Sequence, residues 1–125
     1  GIILEMFARS IRRKTNEKHP PTWLLRVVEK LNDQFTENIT SDELALEAGV
    51  HPVHLAAVFR QFYHETMGEY VQKLRVSYAS RLLLNTEIPL AEIAYTTGFS
   101  DQSHFTRIFK RHIGMPPSIF RQNLS

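Results

Sequence analysis

The chain has 125 residues, a hydrophobic fraction of 42% and a formal net charge of +2 at pH 7. This length allows one domain, or two very small domains that share a hinge element. The sequence contains no cysteine, which excludes disulfides, thiolate metal sites and cysteine nucleophiles and is compatible with a reducing cytoplasm. No apolar run approaches the roughly 20 residues of a membrane-spanning helix, so we expect a soluble, cytoplasmic protein without membrane contact.

The charges are distributed unevenly along the chain. Residues 1–20 carry five Lys or Arg against two Glu, and residues 99–125 carry four Lys or Arg against one Asp. Residues 33–69, in contrast, carry one Arg against seven Asp or Glu. Basic residues clustered at the two ends are typical of a polyanion-binding surface, although a charge run is more often an ordinary solvated face.

Residues 1–21 are interpreted as a basic helix followed by a linker. The apolar positions 3, 4, 7 and 11 have helical spacing, and a polar stretch ending in two prolines follows them. This helix could pack on the domain. It could equally be the tail of a missing N-terminal effector or dimerisation domain.

Residues 22–66 predict a first subdomain of three helices. Thr22 is the expected N-cap of the first helix, and Thr40 and Glu43 have the spacing of a capping box at the start of the second. Pro52 fits the first turn of the third helix. The predicted inner face of this third helix consists of Leu55, Val58, Phe59 and Phe62.

Residues 67–86 predict a long connecting helix. Thr66 and Glu69 form a second capping-box pattern, and helical periodicity continues to about Asn85. About 19 residues at a rise of about 1.5 Å give nearly 30 Å, close to the roughly 34 Å turn of duplex DNA. The residues expected to be buried on this helix are Tyr70, Val71, Leu74, Tyr78 and Leu82.

An internal repeat with a period of about 50 residues relates this first subdomain to a second one, residues 87–125. Each copy has a short helix, a glycine-containing turn and a second amphipathic helix, which is the helix-turn-helix layout. The sequence therefore predicts an all-α, homeodomain-like fold of about seven helices, with two helix-turn-helix subdomains joined by the connecting helix. The matched pairs are Ala45 and Ala94, Gly49 and Gly98, Val50 and Phe99, Leu55 and Phe105, Phe59 and Phe109, and Arg60 and Lys110.

The second helix of each copy has a different outer face. A helical wheel about Phe105 places Ile108, Phe109 and His112 on the core side. Such a wheel leaves polar side chains suited to base edges and phosphates facing outward or on the flank: Gln102, Ser103, Thr106, Arg107 and Lys110. The first copy offers only one hydrogen-bond donor, since its outward and flanking residues are Val53, Ala56, Ala57 and Arg60.

This difference predicts that the second copy carries most of the sequence readout. The outer face of the first copy either reads little beyond thymine methyl groups or packs against protein. A protein-interaction module is therefore one alternative, and a metalloenzyme is another because the chain has six His. His51 and His54 are three positions apart, but that helix supplies no carboxylate or cysteine to complete a tetrahedral site, and His51 suits an N-cap. We expect neither catalysis, a metal nor a cofactor.

The block AEIAYTTGFSDQSHFTRIFKRHIGMPPSIFR, residues 91–121, resembles the signature of the AraC/XylS family of bacterial transcription regulators. The likeness covers about residues 22–122 and includes LALEAGVHPVHLAAVFR in the first copy. Phe120 stands where the family usually has Tyr, Ala57 where it commonly has Arg, and His64 where it usually has Gly.

The resemblance implies a DNA-binding domain that acts on double-stranded DNA, with RNA polymerase as a further partner. It also implies a monomeric fragment of a protein that dimerises through an absent N-terminal domain. Whether such a regulator activates or represses stays open. Carried over by position, the base-reading residues are Gln102, Ser103, Thr106 and Arg107 in the second motif, and Val53, Ala56 and Ala57 in the first.

Overall fold

The computed structural model describes residues 19–124, which form seven α-helices. The segment predicted as a basic helix and linker lies mainly outside the described residues. No strand occurs within residues 19–124, and the all-α prediction is confirmed. The helices are α1 (Thr22–Gln34), α2 (Ser41–Ala48), α3 (Pro52–Tyr63), α4 (Met67–Asn85), α5 (Leu90–Thr97), α6 (Gln102–Ile113) and α7 (Pro117–Leu124).

The helices pack around two separate hydrophobic cores. One core joins α1, α2 and α3, which we call the first unit, and its buried residues include Leu24, Leu44, Leu55 and Phe59. The other joins α4 to α5, α6 and α7, and we call these last three helices the second unit. Its buried residues include Val76, Ile93, Phe105, Phe109 and Phe120. The predicted pair of helix-turn-helix subdomains joined by a long helix is therefore confirmed.

The connecting helix α4 is buried differently from the prediction. The five residues expected to be buried on it are only half-buried, and its fully buried residues are Val76, Ala79 and Leu83. Tyr70 and Val71 pack on the first core, while the three buried residues belong to the second. A helix that serves two cores at different points along its length has no single apolar stripe, so the prediction that these five residues are its buried ones was wrong.

Helix ends agree with the sequence at most positions. Thr40 Oγ1 accepts from the Glu43 N–H at 3.1 Å while the Thr40 N–H donates to the Glu43 carboxylate at 2.9 Å, and Thr66 with Glu69 repeats both distances. The prediction of Thr22 as N-cap was wrong. Thr22 is already helical, because α1 is capped by the backbone of Pro21, whose carbonyl accepts the first helical N–H groups.

His64 ends α3 in the left-handed conformation, at φ 58°. Its backbone N–H donates to the Arg60 carbonyl at 2.8 Å, as in a helix that ends on glycine. None of the helices in residues 19–124 is long and apolar enough to cross a membrane.

Candidate nucleic-acid interface

The turn between the two helices of each motif has the same backbone geometry in both copies. The Val50 N–H donates to the Ala45 carbonyl at 3.0 Å, and the Phe99 N–H donates to the Ala94 carbonyl at the same distance. Both turns pass through a glycine in the left-handed region, where a residue without Cβ is least strained. The repeat recognised in the sequence is thus a repeat of structure.

α6 presents the polar face predicted from its sequence. Four of its five candidate residues are exposed and Thr106 is half-buried. Its opposite side is fixed by Phe105 and Phe109, which are completely buried with their ring centroids 5.7 Å apart. The exposed candidates are Gln102, Ser103, Arg107 and Lys110.

The start of α6 is held by a cap that sequence reasoning missed. The Asp101 carboxylate accepts from the His104 N–H at 2.8 Å, and the His104 ring lies edge-on to Phe99 with 5.4 Å between centroids. An Asp immediately before an amphipathic helix is a recognised N-cap signal and could have predicted this contact. The cap places Gln102 and Ser103 in the first helical turn.

The prediction that His112 lies on the core face of α6 was wrong. Its side chain is exposed, because it lies in the last turn of α6 where the packed core has ended. The pKa of His112 is lowered, first by its partial desolvation and then by the neighbouring cations Arg111 and Lys73. A lowered pKa favours the neutral ring.

α3 presents a largely apolar outer face, as predicted. Val53 is 71% exposed, and Ala56, Ala57 and Arg60 are exposed as well. Its inner side is anchored by Leu55 and Phe59, both completely buried. His51 caps the helix, since its Nδ1 accepts from the Val53 N–H at 3.1 Å.

A groove lies between α3, the start of α4 and the first turn of α6. Its volume is about 640 Å³. Ala56, Ala57 and Arg60 of α3 line it together with His104 of α6 and the start of α4. Helical periodicity within each copy could not predict this arrangement, because it depends on how the units are placed around α4.

The C-terminal ends of α3 and α6 approach the first turns of α4. Arg111 Nη2 donates to Gln72 Oε1 at 2.7 Å. The pKa of Glu69 is lowered mainly by its hydrogen bonds to Thr66, with smaller contributions from the positive charges of Arg60 and Arg111. The Glu69 carboxylate of α4 therefore interacts electrostatically with cations from both candidate reading helices.

Among residues 19–124, no group of three His, Cys, Asp or Glu side chains is arranged to hold a metal. His51 is used as a helix cap, and the His54 ring packs near Trp23 with 5.7 Å between centroids. His51 and His54 thus have structural contacts of their own.

Comparisons with known proteins agree with this architecture. The family model described as a helix-turn-helix domain matches residues 44–123. A structure titled as a transcriptional regulator among AraC-type DNA-binding domain-containing proteins, from Chromobacterium violaceum, is similar with a TM-score of 0.74 and 25% identity, covering 83% of this chain and 93% of that one. The chain belongs to the AraC/XylS family. It is a DNA-binding regulator of transcription.

Relatives of this AraC/XylS member differ in length. "Probable transcription factor PqrA" of Proteus vulgaris is 40% identical over 90 residues, which are 72% of this chain and 74% of that protein. "Bifunctional transcriptional activator/DNA repair enzyme AdaA" of Bacillus subtilis is 32% identical over 111 residues, 88% of this chain but 53% of that protein. The chain therefore spans about half of one relative and three quarters of the other.

Proposed function

We propose that α3 and α6 enter two successive major grooves on one face of duplex DNA, and that α6 carries most of the base readout. The observation that carries this proposal is the contrast between their outer faces. α6 exposes Gln102, Ser103, Arg107 and Lys110, whereas the four outer-face positions predicted for α3 carry one cation, Arg60, beside Val53 and two alanines.

Each exposed residue of α6 has a role suited to its chemistry. Gln102 can bond adenine bidentately and Arg107 can bond guanine bidentately. Ser103 and Thr106 can bond either a base edge or a phosphate. Lys110 lies a turn beyond Arg107 and is assigned to a phosphate, which contributes affinity without sequence preference.

The separation of the motifs suits this mode of binding. α4 has 19 residues, and a rise of about 1.5 Å per residue gives it a length of about 28 Å. Successive major grooves on one face of DNA are about 34–36 Å apart. Val53, Ala56 and Ala57 would then meet thymine methyl groups in the groove occupied by α3.

The wider role of the regulator is part of the same proposal. A chain with two reading helices needs no partner copy to contact two grooves, so we propose that these 125 residues bind as a monomer. We further propose a cytoplasmic regulator that acts with RNA polymerase and without catalysis or a cofactor in residues 19–124. AdaA is named as an activator, and activation is the mode we favour here.

Selection of duplexes from a random library by this chain, followed by hydroxyl-radical footprinting, tests the proposal. We expect protection of about two adjacent major grooves on one face. Protection of a single groove would contradict binding through both helices and would indicate that α6 binds alone. A stable dimer in light scattering would contradict the monomeric mode.

A protein-interaction module is the second candidate, and the apolar outer face of α3 is the observation that favours it. Val53 is 71% exposed beside two exposed alanines. Failure to enrich any duplex in the same selection would support this alternative. Enrichment of one sequence would exclude it as the main function of the chain.

A further inference from the structure

The two units also meet at a contact centred on Arg75 of α4. It joins residues 35–37, which follow α1, to Gly98 and Phe99, which form the turn between α5 and α6. We call these residues together the Arg75 junction. The buried residues of the two units form separate cores, so no shared apolar core sets the angle between them.

The Arg75 side chain binds both units at once. Its Nε donates to the Phe35 carbonyl at 2.7 Å, and its Nη2 donates to the Glu37 carbonyl at 3.2 Å. Its guanidinium carbon lies 5.8 Å from the centroid of the Phe99 ring, within the range of a cation–π contact. The planar fork of a guanidinium suits two acceptors and a ring face, and an ammonium does not reproduce this geometry.

Gly98 allows the backbones of the two units to touch. A Cβ at this position would lie 2.8 Å from the Thr36 carbonyl oxygen and 2.8 Å from Arg75 Nε. The matching glycine of the first motif, Gly49, has nothing within 4 Å of such a Cβ. The close approach is therefore a property of the junction and not a requirement of the helix-turn-helix turn.

We propose that Arg75 is a positioning residue that fixes the distance and rotation of α6 relative to α3, which we call their phase. It thereby sets the spacing between the two half-sites that this chain reads. The inference rests on the function proposed above. One base pair advances the groove by about 3.4 Å and rotates it by about 34–36°. A rigid pair of reading helices cannot adapt when one base pair is added between the half-sites, whereas a pair released from the junction can.

The first experiment measures the phase without DNA. The chain has no cysteine, so Leu46→Cys and Tyr95→Cys supply two unique sites for nitroxide labels. Both residues are 83% exposed, and they lie on α2 and α5 at matching places in the repeat. Double electron–electron resonance then gives the distribution of distances between the two nitroxides, and so between the units.

Arg75→Met is the main variant, because it keeps an unbranched side chain and removes every donor. We expect its distance distribution to be roughly twofold broader than that of the otherwise native labelled chain, because its preorganising contacts are lost. Arg81→Met is the matched control. Arg81 lies on the same helix and donates to Ser77 one turn earlier at 3.1 Å, so we expect its distribution to stay narrow.

Arg75→Lys is a second variant that tests the inference even if the methionine variant does not fold. It keeps the charge but cannot form the same fork, so we expect a helical far-ultraviolet spectrum with intermediate broadening. Distributions of native width in both Arg75 variants would overturn the inference, whatever the result with DNA.

The second experiment uses the selected duplex with one or two base pairs inserted between its footprinted halves. We expect the chain with native Arg75 to lose roughly tenfold or more in affinity and Arg75→Met to lose roughly threefold or less, because a loosely tethered second unit adapts. Equal losses would show that the junction does not set spacing and would overturn the inference. If the native chain binds no duplex but the distance distributions of the Arg75 variants broaden as expected, the proposed function is wrong. The inference that the junction determines the phase is then still supported.

Discussion

The two helix-turn-helix motifs have the same interior and different exteriors. Their turns share the same backbone hydrogen bond at 3.0 Å, and Phe59 and Phe109 occupy matching, completely buried positions. On the outside, α3 offers alanines and Val53 where α6 offers Gln102, Ser103 and Arg107. A duplicated motif can therefore keep the packing that makes it fold while only one copy keeps a rich set of hydrogen-bonding side chains.

The largest expected effect comes from breaking either interior. Phe109→Ala should cost about 3–5 kcal/mol of unfolding free energy, because it removes a buried ring and leaves a cavity. Phe59→Ala should cost a similar amount in the first unit. Urea unfolding monitored by circular dichroism measures both.

The matched pair also separates the roles of the units. We expect Phe109→Ala to abolish preference among duplexes and Phe59→Ala to weaken binding while preserving the preferred bases. Loss of preference in Phe59→Ala alone would reverse the assignment of readout to α6.

The next effect concerns Arg107 on the exterior of α6. Arg107→Ala should cost about 1–3 kcal/mol and relax the preference at one base pair. Lys110→Ala is its control, and should weaken all sequences alike and reduce the salt slope by roughly one unit. Isotherms on matched and single-mismatch duplexes at several salt concentrations distinguish them. An equal loss on all duplexes for Arg107→Ala would assign it to a phosphate.

A smaller effect is expected at the capping boxes that open α2 and α4. Thr40→Ala and Thr66→Ala should each cost about 1 kcal/mol, since each leaves a helical N–H without its side-chain acceptor. Thermal melts compare them. Thr66 opens the helix that carries both units, so its loss should lower the stability of both, whereas loss of Thr40 should act on the first unit.

Acid should weaken the box at Thr66. The pKa of Glu69 is lowered because its carboxylate accepts the Thr66 N–H and lies in the field of two arginines. Its stabilising effect is therefore present above the pKa of an unfolded glutamate and is lost as the pH falls through the lower, folded value. Glu69→Gln should flatten this part of the stability profile, and an unchanged acid slope would contradict the assignment.

The features that sequence alone predicted are those set by local spacing. A capping box joins residues three positions apart, and the exposed side of α6 follows from about 100° of rotation per residue. Leu55 and Phe105 could accordingly be assigned to the interior from the repeat. Their burial confirms it.

The features that escaped prediction depend on contacts between distant segments. Arg75 reaches backbone carbonyls that any residue could supply, 38 to 40 positions earlier in the chain, so no side-chain pattern marks the contact. The close approach at Gly98 is equally invisible, because Gly49 satisfies the same turn pattern in open space. The partial burial of the α4 residues expected to be buried, and the exposure of His112, likewise follow from where each core ends.

The smallest expected effect is a gain, obtained by making the exterior of α3 more like that of α6. Ala57 is exposed on the wall of the groove between the units, so a longer side chain has room there. Ala57→Arg should strengthen binding by roughly threefold at moderate salt, because it adds a donor for a base edge or a phosphate. Ala57→Gln, which adds length and hydrogen-bonding atoms without charge, is the control. A steeper salt slope in the arginine variant alone indicates a phosphate contact, and a new preference at one base pair indicates readout. If arginine neither strengthens binding nor changes preference, α3 does not face DNA through Ala57, and the apolar exterior of the first motif belongs to a protein partner.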